Sequence, residues 1–374
     1  MEGSPLRLGV VCYPTVGGSS VVATEVALGA AAEGHDVHLI SYDRPHRLRA
    51  GVAGLRYHAV GVSGYPLLRF PPYDLALATR MLEVQEEADI QVFHVHYAIP
   101  HAVSAFLARS MASKPLRFIT TLHGTDITVV GADRAYMRPT RFAIEQSNAV
   151  TAVSQFLADE TSLLFGIRSP IQVIPNFVDT EVYQRGSGQR WTDRADEERV
   201  IIHASNFRPV KRVADVVRAF AVVAREIPAR LVLIGDGPDR EHALAVATDL
   251  GVRARVETID RLHSLETALA NADLCLSASE TESFGLSLLE AMSCEVPCAT
   301  SDVGGVREVV GDTGAYAPAG EPELLGQAAL GLLRDPEQHR ALGQRARQRA
   351  LDKFDQSKIL GQYLSLYQRV VADG

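Results

Sequence analysis

Cysteine is scarce in this sequence: four in 374 residues, Cys12, Cys275, Cys294 and Cys298. No two form a Cys-x-x-Cys pair, so neither a disulfide framework nor a paired-thiol metal site is indicated. Cys12 and Cys275 lie in apolar strand-like runs, where buried thiols are common. Cys294 and Cys298 are the pair that could carry redox chemistry, with packing the commoner fate. No apolar run approaches the roughly 18 residues of a membrane-spanning helix. The opening "MEGSPLRLGVVCYP" has too short an apolar run for a signal peptide and leads into helix-like sequence. A cytoplasmic protein is expected. There is no Lys/Arg-rich block, and 37 basic against 45 acidic residues give a formal charge of -8. That balance argues against a nonspecific nucleic-acid binder and leaves room for local basic pockets. Repeats and low-complexity segments are also missing.

What is present is a globular composition, 47% hydrophobic and 22% charged, in a chain long enough for two domains at roughly 100 to 200 residues each. Short apolar runs alternate with helix-like segments. The first half carries "LRLGVVCY", "DVHLISY", "IQVFHVHY", "RFITTLHG", "AVTAVS" and "IQVIPN". The second carries "RVIIHASN", "ARLVLIGDG", "RVETID", "ADLCLSAS", "VPCATS" and a weaker "GAYAPA". Continuous apolar strands alternating with helices imply βαβ units and buried parallel sheets. Two such series predict an α/β chain of two doubly wound, Rossmann-like domains. They part near "PNFVDTEVYQRGSGQRWTDRADEE", a polar stretch with glycines. The last segment is an amphipathic helix with Ile359, Leu360, Tyr363, Leu366 and Tyr367 on one face.

Open α/β sheets bind ligands outside the carboxyl ends of their strands. The polar residues expected there are Gly17, Gly18, Ser19 and Ser20; His96 and Tyr97; His123, Gly124, Thr125 and Asp126; Asn206, Arg208 and Lys211; Gly235, Asp236 and Gly237; and the stretch from Glu280 to Glu290. They come from both halves, which suggests a cleft between two domains.

Each motif has an ordinary reading beside its functional one. "TVGGSSVVATEV" is a glycine loop opening a helix, with Ser19 or Ser20 as cap and an anion-binding N-terminus, or simply a strand-to-helix turn. It is not Gly-x-Gly-x-x-Gly, so the dinucleotide fingerprint is absent. "SNFRPVKRVADV" sets Arg208 and Lys211 near a helix start, which suits a diphosphate or a solvated basic turn. "LIGDGPDR" is a tight turn after a buried strand. "TLHGTDI" brings His123 and Asp126 to a strand end, where the histidine can meet a sugar hydroxyl or satisfy backbone. His94 and His96 share a strand face, but no Asp, Glu or Cys completes a metal site nearby.

The stretch "SASETESFGLSLLEAMSCEVPCATS" places Glu282 in a loop and Glu290 about two turns into a helix. At about 100° per residue, eight steps return to within roughly 80° of the start. Between the carboxylates, the amides of Ser283, Phe284, Gly285 and Leu286 form an open helix end. A ligand with hydroxyls at both ends and phosphate in the middle fits, as a sugar nucleotide does. A capping glutamate plus a surface glutamate is the plainer alternative.

"ETESFGLSLLE" resembles the Glu-x7-Glu motif of retaining glycosyltransferases of family 4, which have the GT-B fold of two facing Rossmann-like domains. "LIGDGP", "SNFRPVKR" and "PNFVDTEVY" stand where that family has its motifs, and the resemblance spans essentially the whole chain. More narrowly, "CYPTVGGSSVVATE", "PPYDLALA", "HVHYAIPHAV", "TTLHGTDIT", "RFAIEQSNAVTAVS" and "SNFRPVKRV" are similar to the N-acetyl-α-D-glucosaminyl L-malate synthases, which begin bacillithiol biosynthesis.

The resemblance implies an acceptor domain over 1–178, a UDP-sugar donor domain over 179–355 and a C-terminal helix, 356–374, packing back on the first. It implies that Glu290 holds ribose and that Glu282, with the Phe284 and Gly285 backbone, holds the sugar. Arg208 and Lys211 then neutralise the diphosphate near Gly17 and Gly18, and His123 meets the transferred sugar. Asn206, Gly235, Ser283 and Leu286 complete the donor set. Ser19, Ser20, Tyr97, Thr121 and Arg141 are the malate candidates, with Asp126 ordering their pocket. Many family members carry the phosphate arginine five residues before the lysine; here that position is Asn206, and the role passes to Arg208. The implied reaction moves GlcNAc from UDP-GlcNAc to L-malate with retention. No metal or cofactor is required, and Mg²⁺ is not essential. The family often self-associates, so a homo-oligomer is among the expected states; neither nucleic acid nor membrane is an expected partner. The alternatives are a family 4 enzyme with another small acceptor, a UDP-GlcNAc epimerase, a nicotinamide oxidoreductase and a non-catalytic sugar-nucleotide sensor. The missing dinucleotide fingerprint disfavours the oxidoreductase, and an acceptor requirement separates the transferases from the epimerase.

Overall fold

The computed structural model describes residues 4–15, 17–62, 64, 69–186, 197–259 and 265–373. The chain divides into two compact units, Met1–Pro175 with Ile359–Gly374, and Asn176–Lys358. The boundaries suggested by sequence were 178/179 and 355/356. Residues 187–196 of the linker stretch, and Asp260 at the end of "RVETID", lie outside the described residues.

The first unit runs β1 (Arg7–Val11), α1 (Gly18–Ala32), β2 (Asp36–Ser41), β3 (Leu55–Ala59), α2 (Tyr73–Ala88), β4 (Val92–His96), α3 (Val103–Met111), β5 (Phe118–Leu122), α4 (Met137–Gln146), β6 (Ala149–Ala152), α5 (Gln155–Phe165) and β7 (Ile171–Val173). All neighbours pair in parallel, in the order β3-β2-β1-β4-β5-β6-β7. The inner strands β4 and β5 are buried along their whole length, which is why they read as unbroken apolar runs. The sequence reading missed β3. Its residues, "LRYHA", are mostly half-exposed and polar on this sheet edge, so neither an apolar run nor clean alternation announces it.

The second unit runs β8 (Arg199–Ala204), α6 (Val213–Glu226), β9 (Ala229–Ile234), α7 (Arg240–Asp249), β10 (Val256–Ile259), α8 (Leu265–Ala270), β11 (Leu274–Ser277), α9 (Leu286–Ser293), β12 (Cys298–Ser301), α10 (Val306–Val310), β13 (Gly314–Ala317), α11 (Pro322–Leu333) and α12 (Pro336–Lys353). Its strand order is β10-β9-β8-β11-β12-β13, again all parallel. Helix α13 (Gln356–Ala372) closes the chain, and from Ile359 onward it belongs to the first unit. There Leu360 meets Gly29 of α1, and Tyr363 and Tyr367 are fully buried. Ile359 and Leu366 of the same face are buried too. Truncating either tyrosine to alanine should cost roughly 3–5 kcal/mol, the usual range for a large buried aromatic.

Each sheet reverses its winding between two central strands, β1 and β4 in the first unit and β8 and β11 in the second. Backbone loops splay apart there and leave a crevice outside the carboxyl ends. The candidate site residues lie at those two places.

Candidate functional site

In the first unit, the loop after β1 enters α1 through Gly17, the extended N-cap residue, and Gly18, the first helical residue. The sequence suggested Ser19 or Ser20 as the cap. Neither caps: both lie in the first turn, because the glycines move the helix start ahead of them. The first amides of α1 therefore have no side-chain cap and stay open to an anion. Ser19 Oγ instead donates to Tyr97 Oη at 3.0 Å, across the β1/β4 switch point. Ser20 is buried, and its carbonyl accepts from Thr24 Oγ1. Tyr97 follows β4 with φ +95, a left-handed conformation rarely adopted by a bulky residue.

The loop after β5 is organised by Asp126. Its carboxylate is buried and accepts the amides of Ala98 at 2.9 Å, His123 at 3.1 Å and Gly124 at 2.9 Å. Burial pushes its pKa up to about 6, against the lowering effect of those amides. Asp126 thus ties the β4 and β5 loops together. His123, partly buried, sits beside Tyr97 at 5.4 Å between ring centroids, and its Nε2 lies 2.9 Å from Nδ1 of the buried His96.

Below them runs a core network. Thr121 Oγ1 lies 2.6 Å from His94 Nε2 and 2.6 Å from Thr151 Oγ1, and His94 Nδ1 lies 2.7 Å from Tyr367 Oη. This corrects one sequence expectation. Thr121 is fully buried and committed to the core, so its side chain is not open to a ligand. His94 uses both ring nitrogens, which leaves nothing for a metal. Among the described residues no group of three or more His, Cys, Asp or Glu is placed to hold a metal ion. Arg141 stands apart: it is on α4, half-exposed, and its Nε donates to Glu145 Oε1 at 3.0 Å. No hydrogen bond joins it to Tyr97 or Asp126 among the described residues.

In the second unit, β8 ends at Ala204 and leads through Ser205 and Asn206 into a short turn carrying Arg208 and Lys211. Arg208 is exposed. Lys211 Nζ donates to Glu282 Oε2 at 2.5 Å, across the β8/β11 switch point. Ser279 Oγ reaches the same carboxylate oxygen at 3.4 Å. The amide of Glu280 donates to Val210 O, and that of Gly305 to Glu282 O, which holds the glutamate loop on both sides. Gly235 closes over the β8 loop with φ +127. A Cβ there would fall 1.9 Å from Ser205 O, so only glycine fits. Asn206 Oδ1 is buried without a hydrogen-bond partner among the described residues, an unused acceptor at the mouth of this crevice.

Helix α9 starts at Leu286 behind Gly285, whose φ of +97 is left-handed, and no side chain caps it. Phe284 is buried edge-on against Phe354, which anchors the loop while its backbone stays at the helix mouth. Glu290 falls in the second turn of α9 and is buried. The sequence placed it about two turns in, so the helix begins later than expected. Because Glu282 is outside the helix, helical arithmetic does not set the separation of the two carboxylates. Sequence reasoning also missed His203. Its Nδ1 faces Leu276 O at 2.9 Å and its Nε2 meets Ser205 Oγ at 2.8 Å, which fixes the turn that carries Asn206. Burial first, and then Lys211, hold its pKa down at about 4. The available signal was a histidine inside an apolar strand two residues before the motif. The four cysteines are buried and free, and burial raises Cys12 and Cys294 to about 12, so both remain thiols.

Comparison with known proteins now decides the family. "Glycosyltransferase Family 4" matches residues 16–182 and "Glycosyl transferases group 1" matches residues 189–349. The chain is 44% identical over 373 residues to the N-acetyl-alpha-D-glucosaminyl L-malate synthase of Bacillus anthracis, covering 98% of both chains. It belongs to glycosyltransferase family 4. A more distant relative is the GDP-mannose-dependent alpha-(1-6)-phosphatidylinositol monomannoside mannosyltransferase of Mycolicibacterium smegmatis, 27% identical over 78% of this chain and 81% of that one. Among solved structures, HepE of Anabaena in complex with UDP and glucose superposes with a TM-score of 0.82 at 19% identity, over 97% of this chain and 99% of that one. Sucrose-phosphate synthase of Thermosynechococcus elongatus gives 0.81 at 19%, over 99% and 100%. The glycosyltransferase therefore has the GT-B fold and acts on small-molecule substrates. No helix among the described residues is long and apolar enough to cross a membrane.

Proposed function

We propose that this glycosyltransferase moves N-acetylglucosamine from UDP-GlcNAc to the hydroxyl of L-malate. The products are GlcNAc-α-malate and UDP, the first step of bacillithiol biosynthesis. The observation that carries the reading is the full-length match to the malate synthase of Bacillus anthracis. The second unit binds the donor and the first binds the acceptor.

Before the donor arrives, Lys211 and Glu282 neutralise each other. The diphosphate takes the ammonium of Lys211 and frees the Glu282 carboxylate to accept from sugar hydroxyls. Arg208 adds a second cation, and the open amides from Gly285 and Leu286 a fixed positive end. Glu290 holds the ribose hydroxyls. Asn206, Gly235, Ser283 and Phe284 shape the donor path, and the Gly17–Gly18 turn gives a second anion-favouring helix start. Ser19 and Tyr97 meet the acceptor, with Arg141 as the cation for a malate carboxylate; Ser20, Thr121 and Asp126 hold that face from below.

The bond from the anomeric carbon to the diphosphate oxygen breaks as the malate oxygen bonds the same face, so configuration is retained. The malate proton passes to the departing phosphate, and no protein nucleophile takes part. Lys211, Arg208 and the α9 N-terminus stabilise the charge on UDP, so no metal or cofactor is needed and Mg²⁺ is dispensable. The enzyme works in the cytoplasm, without nucleic-acid or membrane partners. Mass spectrometry of reactions with UDP-GlcNAc and L-malate, with UDP release followed in parallel, tests this. D-malate, glycerol phosphate and no-acceptor controls run beside it. A GlcNAc–malate adduct seen only with L-malate is the expected result; UDP release without it rejects the acceptor.

A further inference from the structure

Four histidines crowd the ends of β4 and β5: His94, His96, His101 and His123. Ring centroids of His94 and His96 are 4.1 Å apart, and those of His96 and His123 are 5.1 Å apart. Their protons can be assigned by asking which buried nitrogen each choice would strand. His101 Nδ1 faces the carbonyl oxygen of His96, so Nδ1 carries the proton and donates. Nε2 of His101 is then a bare lone pair, and it has no partner among the described residues.

The pair His96 Nδ1 and His123 Nε2, 2.9 Å apart, admits two arrangements. If His123 Nε2–H donates, His96 carries its single proton on Nε2. That atom is buried without a partner, so an N–H would be stranded. If His96 Nδ1–H donates, the stranded atom is only a lone pair. Orphaned buried N–H groups are the rarer and costlier defect. A doubly protonated ring is opposed by burial beside the other histidines, which lowers the pKa of all four.

We infer that His96 is a positioning residue that holds His123 in its Nδ1–H tautomer, so that His123 presents the transferred sugar with a hydrogen-bond donor and no base. His123 is partly exposed as a residue, and Nδ1 has no hydrogen-bond partner among the described residues, so Nδ1 is the nitrogen left for a ligand. Its partner is an oxygen, a hydroxyl or the acetamido carbonyl of the sugar. The inference rests on the proposed function, in which His123 meets that sugar. It deepens it: His123 cannot take the malate proton, which agrees with the departing phosphate taking it as proposed.

The test is ¹⁵N–¹H correlation of the full-length protein labelled in its histidine rings. His123 and His96 are assigned from His123→Asn and His96→Asn spectra. The expected wild-type signature at pH 7 is a proton on His123 Nδ1, retained down to about pH 5 given a ring value near 3. A proton on His123 Nε2 overturns the inference.

Kinetics supply a readout that a purely structural role would not move. His96→Leu should lower kcat/KM for UDP-GlcNAc about tenfold while the Kd for UDP alone stays put, since only the sugar loses a hydrogen bond. His96→Asn, whose side-chain amide can donate from the Nδ1 position, should restore most of the loss. Equal impairment in both folded variants overturns the positioning role; if the leucine variant does not fold, the wild-type spectrum decides alone. His123→Ala with undiminished turnover removes the sugar contact, and so the proposed role of His123, while leaving the tautomer result standing.

Discussion

At the switch point of the first sheet two neutral hydroxyls meet, Ser19 and Tyr97, 3.0 Å apart. At the same place in the second, an ammonium meets a carboxylate, Lys211 and Glu282, at 2.5 Å. The surroundings differ in the same sense. Behind Tyr97 lies a buried net of neutral groups, with Asp126 saturated by backbone amides. Around Lys211 the groups are charged and part-exposed, about a fifth of each side chain remaining accessible (23% for Lys211 and 20% for Glu282). Solvent still reaches this pair, which screens it and leaves it open to an incoming charge. A buried net whose polar groups pair mainly with one another resists rearrangement. One topology thus makes a fixed surface in one unit and an exchangeable charge in the other, and the side chains at the strand ends choose between them.

The comparison can be broken most forcefully at Asp126. Asp126→Ala strands three buried amides, and the expected loss of stability is roughly 4 kcal/mol or more, read by urea denaturation. A loss under about 1 kcal/mol would mean that the first-unit face is not rigid. Next comes Lys211→Ala, which should cost about 10²–10³ in kcat with the fold intact by circular dichroism. Arg208→Ala, starting from an exposed side chain, should cost less; the reverse order would move the charge centre to Arg208.

The pH dependence sharpens the contrast further. His94, His101 and His123 are held neutral in the fold, at about 3, 4 and 3, and burial holds His96 well below its ordinary value too. Unfolded, they titrate near 6.5. The unfolded chain therefore binds more protons below pH 6.5, and stability falls as pH falls, by roughly 1 kcal/mol per histidine per pH unit. Asp126, raised to about 6, works the other way between about pH 4 and 6, offsetting one histidine. The second unit has His203 at about 4 and, in smaller measure, His339, so the first unit should melt first in acid. Hydrogen exchange at pH 7 and pH 5.5 checks this. Loss of protection in both units together would contradict it. The smallest effect is expected from Ser19→Ala, about 1 kcal/mol or less in kcat/KM for malate, since Tyr97 keeps its ring packing.

Much of this was legible in the order of residues. Twelve apolar runs in "LRLGVVCY" to "GAYAPA" became strands, because a strand buried on both faces has to be continuously apolar. Arg208, Lys211 and Glu282 could be placed at strand ends, because open α/β sheets present those ends to ligands. What failed had a local cause. β3 escaped because an edge strand needs no apolar run. Ser19 and Ser20 looked like caps because serine commonly is one, yet the glycine pair had already started the helix. Thr121 was a malate candidate only through the family resemblance, but its side chain is fully buried in the core.

The amino-acid order by itself determined the two parallel sheets, the glycine turns and the charge types at the strand ends, since these follow from periodicity and from backbone conformations only glycine tolerates. Only the tertiary structure decided which of those residues meet. His94 and Tyr367 are neighbours although 273 positions separate them. Lys211 and Glu282 pair across 71 positions. Such contacts depend on strand order and on burial, which lowers the local dielectric and forces each polar atom to find a partner, and neither is written in any short stretch of the chain.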